Sequence, residues 1–307
     1  MKNFKMKIKR IEKFFIICLL IFMLFFVSAQ QGCESTQASK QGLDFTLISK
    51  PGFLTSGSSL HQEDSFYVGI KIENYDTKER LGTLCIKDDV DEAFGGIQSQ
   101  GFGECQYFVV RAAEKKQETK KSFFGQAKED IKPGVTEVYF PQEQEYKYYG
   151  MPVMLQPFSV NLYVSLHYNE MTQATATITT GQEQPNVAQE PALVKVSVLK
   201  SLHPRSEGYK IDLTINLVKQ GGGKIFLPDF SKENSTQFSV QLYNIPLDCF
   251  VAGKPVYGVV ELQDTKTIKC SGTIYSRQEQ SFPLIVTLNY GVIIDKKFPF
   301  SIITKEE

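Results

Sequence analysis

The chain has 307 residues, 42% of them hydrophobic and 22% charged, with equal numbers of basic and acidic side chains. That composition belongs to a folded globular protein and excludes a disordered or collagen-like chain. The charge is unevenly placed. Residues 1–13 carry a net +5, and the remainder has 28 basic against 33 acidic groups, which gives no sign of the basic face or stripe that a nucleic-acid partner requires.

The basic start runs into FFIICLLIFMLFFV, residues 14–27. Fourteen apolar residues fall short of the ~20 needed to span a bilayer comfortably. A basic region, a short apolar region and the small residues Val27-Ser28-Ala29 together make the pattern of a secretory signal peptide. Residues 1–29 therefore read as a signal peptide or membrane anchor, and 30–42 as a polar tether. Three outcomes are ranked: cleavage after Ala29, lipid attachment at Cys33, and an uncut anchor. Gln30 stands where a lipid-attachment box has an aliphatic residue, which places lipidation second. In each case the body of the chain lies outside the cytoplasm, secreted or held at the outer face of the membrane through its N-terminus.

Six cysteines occur. Cys18 lies in the apolar run, and Cys33 heads the tether. Cys85 and Cys105 are 20 apart, and Cys249 and Cys270 are 21 apart. The two close pairs fall on opposite sides of a polar segment, so pairing within each block, Cys85–Cys105 and Cys249–Cys270, is the expected connectivity in an oxidising compartment. Neither pair has C-x-x-C spacing, and no histidine is near enough to favour zinc.

From Leu43 onward the apolar residues recur with period two, the mark of half-buried strands. FSVNLYVSLHY, 158–168, alternates without a break, and YKIDLTINL, 209–217, and FSVQL, 238–242, follow the same rule. Further strands are expected at 44–49, 66–73, 81–86, 105–110, 135–140, 172–180, 193–200, 256–262, 266–270, 282–290 and 297–304. The lysine-rich insertion 111–132 is the one stretch suited to a short helix. GQEQPNVAQEP, 181–191, has a linker composition and divides the body into 43–180 and 192–307. Val164–Tyr168 reappears as Val286–Tyr290, an offset of 122. Lys132-Pro133 matches Lys254-Pro255, and Val138 and Phe140 match Val260 and Leu262, at the same offset. The expected fold is all-β, with two consecutive antiparallel sandwiches.

Strands at this spacing, a cysteine pair within each block and an exported start resemble tandem immunoglobulin-like or fibronectin-like cell-surface proteins. The resemblance covers most of residues 43–307 and is architectural. There is no Trp in the chain, so the Trp that packs on the disulfide of antibody-type domains is missing. The cysteines are also too close for the usual bridge between sheets, and instead suit neighbouring strands or a pinned loop.

Catalytic motifs are weak. His61, His167 and His203 stand alone in sequence, and alternation puts His167 on the outward face of its strand. Ser197-Val-Leu-Lys200 matches S-x-x-K by letter but lies in a strand pattern, whereas that nucleophile opens a helix. Gly221-Gly-Gly-Lys224 lacks the first glycine and the Ser/Thr of a phosphate loop and reads as a hairpin turn. Asp88, Asp89, Asp91 and Glu92 gather carboxylates of the kind calcium uses, without EF-hand spacing, and a solvated acidic loop is the preferred reading. No cofactor is expected. Two segments are candidates for contact with a protein or surface polymer: Tyr146, Tyr148, Tyr149, Met151 and Met154 in YKYYGMPVMLQPF, and Phe123 and Phe124 in the insertion. For the first, a loop packed over the end of a sandwich is preferred. Asn234-Ser235-Thr236 is a glycosylation acceptor sequence. The function expected is a non-enzymatic binding, adhesion or surface-structural role. The alternative is a secreted hydrolase that uses a carboxylate pair on a sandwich face.

Overall fold

The computed structural model describes residues 42–97, 103–116, 130–142, 145–151, 156–181, 183–276 and 278–304. The apolar run, Cys33, Phe123, Phe124 and Met154 lie outside these residues. Nineteen strands follow in order. In the first half they are β1 (Leu43–Leu47), β2 (Ser59–His61), β3 (Val68–Asn74), β4 (Arg80–Asp88), β5 (Glu104–Val110), β6 (Glu114–Lys116), β7 (Asp130–Lys132), β8 (Gly134–Phe140) and β9 (Phe158–Thr179). Then come β10 (Val187–Gln189), β11 (Val194–Arg205), β12 (Gly208–Lys219), β13 (Lys224–Phe226), β14 (Ser235–Leu242), β15 (Asp248–Val251), β16 (Lys254–Pro255), β17 (Val259–Glu261), β18 (Thr265–Ile274) and β19 (Ser281–Ile303). Among the described residues the one helical element is a 3-10 turn, Glu92–Phe94.

The period-two pattern extends further than the sequence suggests. β9 is a single strand of 22 residues, and its even-numbered positions from Val160 to Ala174 are all buried. β19 is likewise a single strand, of 23 residues. The two pair antiparallel along almost their whole length, from Ser281↔Thr179 to Ile302↔Phe158. Strands of the first block and strands of the second therefore belong to one nine-stranded sheet with a main path of β17-β14-β19-β9-β4-β5. Residues Gln41–Glu307 form a single compact unit. The linker-like segment 181–191 carries β10, which pairs with β9.

Two smaller sheets complete the core: β1-β3-β8, and β11-β12-β18-β15-β16. Their buried faces join the inward face of β9 and β19 in one hydrophobic cluster. Phe45, Ile70 and Phe140 belong to it with Leu162 and Leu166; so do Ile211, Leu213 and Ile215 with Val286 and Leu288. All named ladders are antiparallel except β2 with β19.

The strand order reads the same from either side of the β9–β19 pair. β5-β4-β9 is answered by β17-β14-β19, and β1-β3-β8 by β11-β12-β18. Asn169 and Gly291 face each other across that pair, and they are separated by 122, the offset of the sequence repeat. Part of the expected repeat is corrected. Val138 and Phe140 lie on β8, whereas Val260 lies on β17, in a different place in the strand order. Only Val164–Tyr168 and Val286–Tyr290 fall on equivalent strands.

One further expectation changes, and another lies mostly outside the described residues. At the two ends of the insertion 111–132, Glu114–Lys116 and Asp130–Lys132 pair as β6 and β7; the stretch between them, where a short helix is expected, is not among the described residues. The glycines at 221–223 do not close a hairpin. Gly221, at φ 91°, turns the chain out of β12, and β13 then pairs with β19 in the other sheet.

The edge of β11 is closed in an uncommon way. The Gln189 amide accepts from the Val196 N–H at 2.8 Å and donates to the Val194 carbonyl at 2.6 Å. The Gln184 amide does the same for both backbone groups of Lys200, at 2.9 and 3.1 Å.

Candidate functional site

The outward face of β4, β9 and β19 forms the floor of an open cleft of about 540 Å³, a volume in the range of ligand-binding sites. Strand register dictates its contents. Across the three strands Lys87 lies beside Tyr163 and Tyr163 beside Lys297. The next outward row is Cys85, Ser165 and Asp295, and the row after that is Thr83, His167 and Ile293. β13 adds Lys224 beside Ile293 and contributes Phe226 to the wall. Phe230, in the loop after β13, packs its ring 5.6 Å from that of His167. It also covers Gly291 so closely that a Cβ there would lie 2.6 Å from the ring. The glycine is what lets this loop lie on the strand.

The polar row is hydrogen-bonded. Ser165 Oγ lies 2.7 Å from His167 Nε2 and donates to Asp295 Oδ1 at 2.7 Å. Lys224 Nζ holds Asp295 Oδ2 at 3.0 Å. Burial tends to raise the Asp295 pKa, but the hydrogen bonds from Ser165 and Lys224 outweigh it, and the carboxyl is held below its ordinary value. Burial lowers His167, against the opposing pull of Asp295. Serine, histidine and aspartate are thus together, but in the wrong order for nucleophilic catalysis. A working triad places the imidazole between hydroxyl and carboxylate so that it can take the hydroxyl proton. Here the Ser165 proton goes to Asp295, and the hydroxyl oxygen accepts from Nε2–H. The imidazole is a donor to this serine and cannot serve as its base.

On the first row, Lys87 Nζ lies 6.0 Å and Lys297 Nζ 5.6 Å from the centroid of the Tyr163 ring. Both lysines are exposed. Among the described residues neither makes an ion pair.

A second cleft, of about 380 Å³, lies beside the junction of the two halves. Arg80 Nη2 reaches Asp76 Oδ2 at 2.8 Å and Glu170 Oε1 at 3.3 Å, with all three side chains buried or nearly so. Glu170 is on the inward face of β9. Burial pushes its pKa up, Arg80 opposes this and Asp76 adds to it, leaving the group at about 7. Burial also works against the Arg80 charge, but Glu170 and Asp76 outweigh it and leave the guanidinium raised. Tyr290, bonded to Thr172 at 2.8 Å, closes the other side.

The residues singled out from sequence are dispersed. Asp88 is buried and accepts from Val90 N–H, Ile97 N–H and the Tyr148 hydroxyl, at 3.0, 3.0 and 2.6 Å. Asp89 accepts from Asn161 N–H at 2.8 Å and from its amide at 2.6 Å. Asp91 caps the 3-10 turn through Ala93 N–H, and Glu92 lies in its first turn. Three of the four carboxylates thus serve as local acceptors in different directions, and no group of three or more metal-binding side chains occurs among the described residues.

Tyr146, Tyr148 and Met151 are core residues, and Tyr148 stacks on Phe66 at 5.3 Å. This corrects their candidacy for partner contact; of the described members of that loop only Tyr149 is exposed. Asn234 is half-buried with φ 54°, and Ser235 and Thr236 are buried in β14. Ser197 and Lys200 point to opposite faces of β11. His61 is exposed on β2, and His203 pairs with Asp212 at 3.1 Å on the surface.

Both expected disulfides are present, Cys85–Cys105 between β4 and β5 and Cys249–Cys270 between β15 and β18. Each joins residues directly opposite on neighbouring strands. No family model matches the chain, and no curated protein matches it in sequence.

Proposed function

We propose that the chain is exported and works outside the cytoplasm as a non-enzymatic β-sandwich protein, secreted or held at the outer face of the membrane through its N-terminal segment, with a binding, adhesion or surface-structural role. Each half reads as an immunoglobulin-like sandwich, β1-β3-β8 layered on β9-β4-β5 and β11-β12-β18 layered on β19-β14-β17. The strand order supports this. The two disulfides are compatible with an oxidising compartment.

The observation that carries the binding role is the cleft over Tyr163. It is open, built on paired strands rather than on a mobile loop, and its Ser-His-Asp group lacks the order that catalysis needs. For the hydrolase alternative, the buried carboxylates brought together at a cleft among the described residues are Asp76 and Glu170. Arg80 stands between them and is bonded to both, which leaves neither carboxylate free to meet a substrate.

Fractionation of the native host with intact-mass measurement tests this reading. A chain beginning at Gln30, or one with a lipid adduct on Cys33, recovered outside the cytoplasm with both disulfides oxidised, is the expected result. A cytoplasmic chain with reduced cysteines overturns it.

A further inference from the structure

We propose that the cleft over Tyr163 binds an acidic saccharide, a sugar ring bearing a carboxylate, and that Lys87 and Lys297 hold that carboxylate. The inference rests on the binding role above and names its ligand.

Strand register fixes the arrangement. Lys87 on β4 and Lys297 on β19 flank Tyr163 on β9 because all three occupy the same row on the outward face. Both ammonium groups lie over one ring, at 6.0 and 5.6 Å from its centroid. Lys224, farther along the cleft, is already neutralised by Asp295. Two like charges flanking one aromatic ring, without a counter-ion among the described residues, favour an anion over a neutral ligand.

The rest of the cleft decides which anion. Phe226, Ile293 and the Cys85 side of the disulfide present apolar surface, suited to the C–H face of a sugar ring. Asp295 presents further carboxylate lone pairs, beyond those that Ser165 and Lys224 use, to which ring hydroxyls can donate. A bare phosphate leaves the apolar wall unused, and a hydrocarbon acid leaves the polar row unmatched. A ring that is apolar on its faces, hydroxylated at its rim and ionised at one carbon matches all three parts.

The test uses the full chain with both disulfides intact, titrated with trigalacturonate and, separately, with neutral maltotriose. Saturable binding of trigalacturonate that weakens with added salt, with no binding of maltotriose at the same concentration, is expected. The double variant Lys87→Gln/Lys297→Gln should lose roughly tenfold or more in affinity with its unfolding midpoint unchanged. Lys254→Gln, exposed on β16 and outside the cleft, should lose none. The proposal is overturned by absence of trigalacturonate binding, by equal binding of maltotriose, or by unchanged affinity in the double variant. Glucose 6-phosphate binding better than trigalacturonate would overturn the carboxylate assignment in favour of phosphate. Failure of every saccharide, with the chain still recovered outside the cytoplasm, overturns the ligand and leaves the extracytoplasmic role standing; the fractionation experiment decides that role separately.

Discussion

The two halves share a strand order but not their staples. In the first half the disulfide ties β5, an edge strand, to β4 in the nine-stranded sheet. In the second it ties β15 to β18 in the five-stranded sheet, on the layer that the first half leaves unbridged. Under the symmetry of the strand order, β4 corresponds to β14 and not to β15 or β18. The difference separates what pattern alone sustains from what needs help. Alternating burial on β9 and β19 builds both halves in the same way. The covalent links fall at or near sheet edges, on strands that bury little apolar surface. β5 and β15 have few fully buried positions.

The sharpest way to break the comparison is at the shared pair. Leu166 on β9 and Leu288 on β19 are equivalent under the 122 offset, and both are fully buried. Leu166→Ala and Leu288→Ala should each cost about 2–5 kcal/mol. Because β9 and β19 are hydrogen-bonded along their length, each substitution should lower one common calorimetric transition; a half that melts alone would show the pairing to be weak. Removing either disulfide by paired Cys→Ala substitution should cost roughly 3 kcal/mol, since each closes a loop of similar size, measured by denaturant titration. Unequal losses would show that native-state packing, and not chain entropy, sets their worth.

Glu170 gives the third test. Its pKa is raised from an ordinary 4.5 to about 7. Between those values the folded chain holds a proton that the unfolded chain has released. The associated stability is therefore complete below about pH 4.5 and lost as pH rises through about 7, a change on the order of 3 kcal/mol. Glu170→Gln should remove that slope from the stability–pH profile, and a profile identical to the parent would show that Glu170 titrates alike in the folded and unfolded chain. A smaller effect is expected at Gly291, which has no counterpart cover in the first half. Gly291→Ala forces Phe230 off the strand, at about 1–3 kcal/mol, visible as a lowered unfolding midpoint and altered His167 chemical shifts.

These sites also mark where the sequence was readable. The alternation of β9 was legible to Tyr168 and again from Thr172. The break fell at Asn169-Glu170-Met171, where an ionisable residue takes an inward position. Arg80, 90 residues away, makes that position tolerable, helped by hydrogen bonds from the Leu193 N–H and the Tyr290 hydroxyl. β19 broke at Gly291–Lys296 for the same kind of reason. Lys296 turns inward, onto Asp44 and the Phe45 carbonyl, each at 2.5 Å. A pattern read in one dimension stops at a polar residue whose partner comes from another strand. The disulfides were legible because spacing alone singled out two pairs. The cleft was not, because it joins residues 85–87, 163–167, 224–226 and 293–297, which only register brings into line. The outward polar residues on alternate positions of β9 were its one local trace.

The two glutamines along β11 carry a last consequence. A bare strand margin is a template on which another chain can extend the sheet. Gln184 and Gln189 occupy four of the hydrogen-bonding positions that such a chain would use, without adding a strand that could itself be copied. They act as chain terminators for sheet growth. Gln184→Ala/Gln189→Ala should leave the fold nearly as stable and make the protein self-associate with rising concentration, seen as a growing sedimentation coefficient. Wherever copies of this chain meet, two side-chain amides are then the difference between neighbours that touch and neighbours that polymerise.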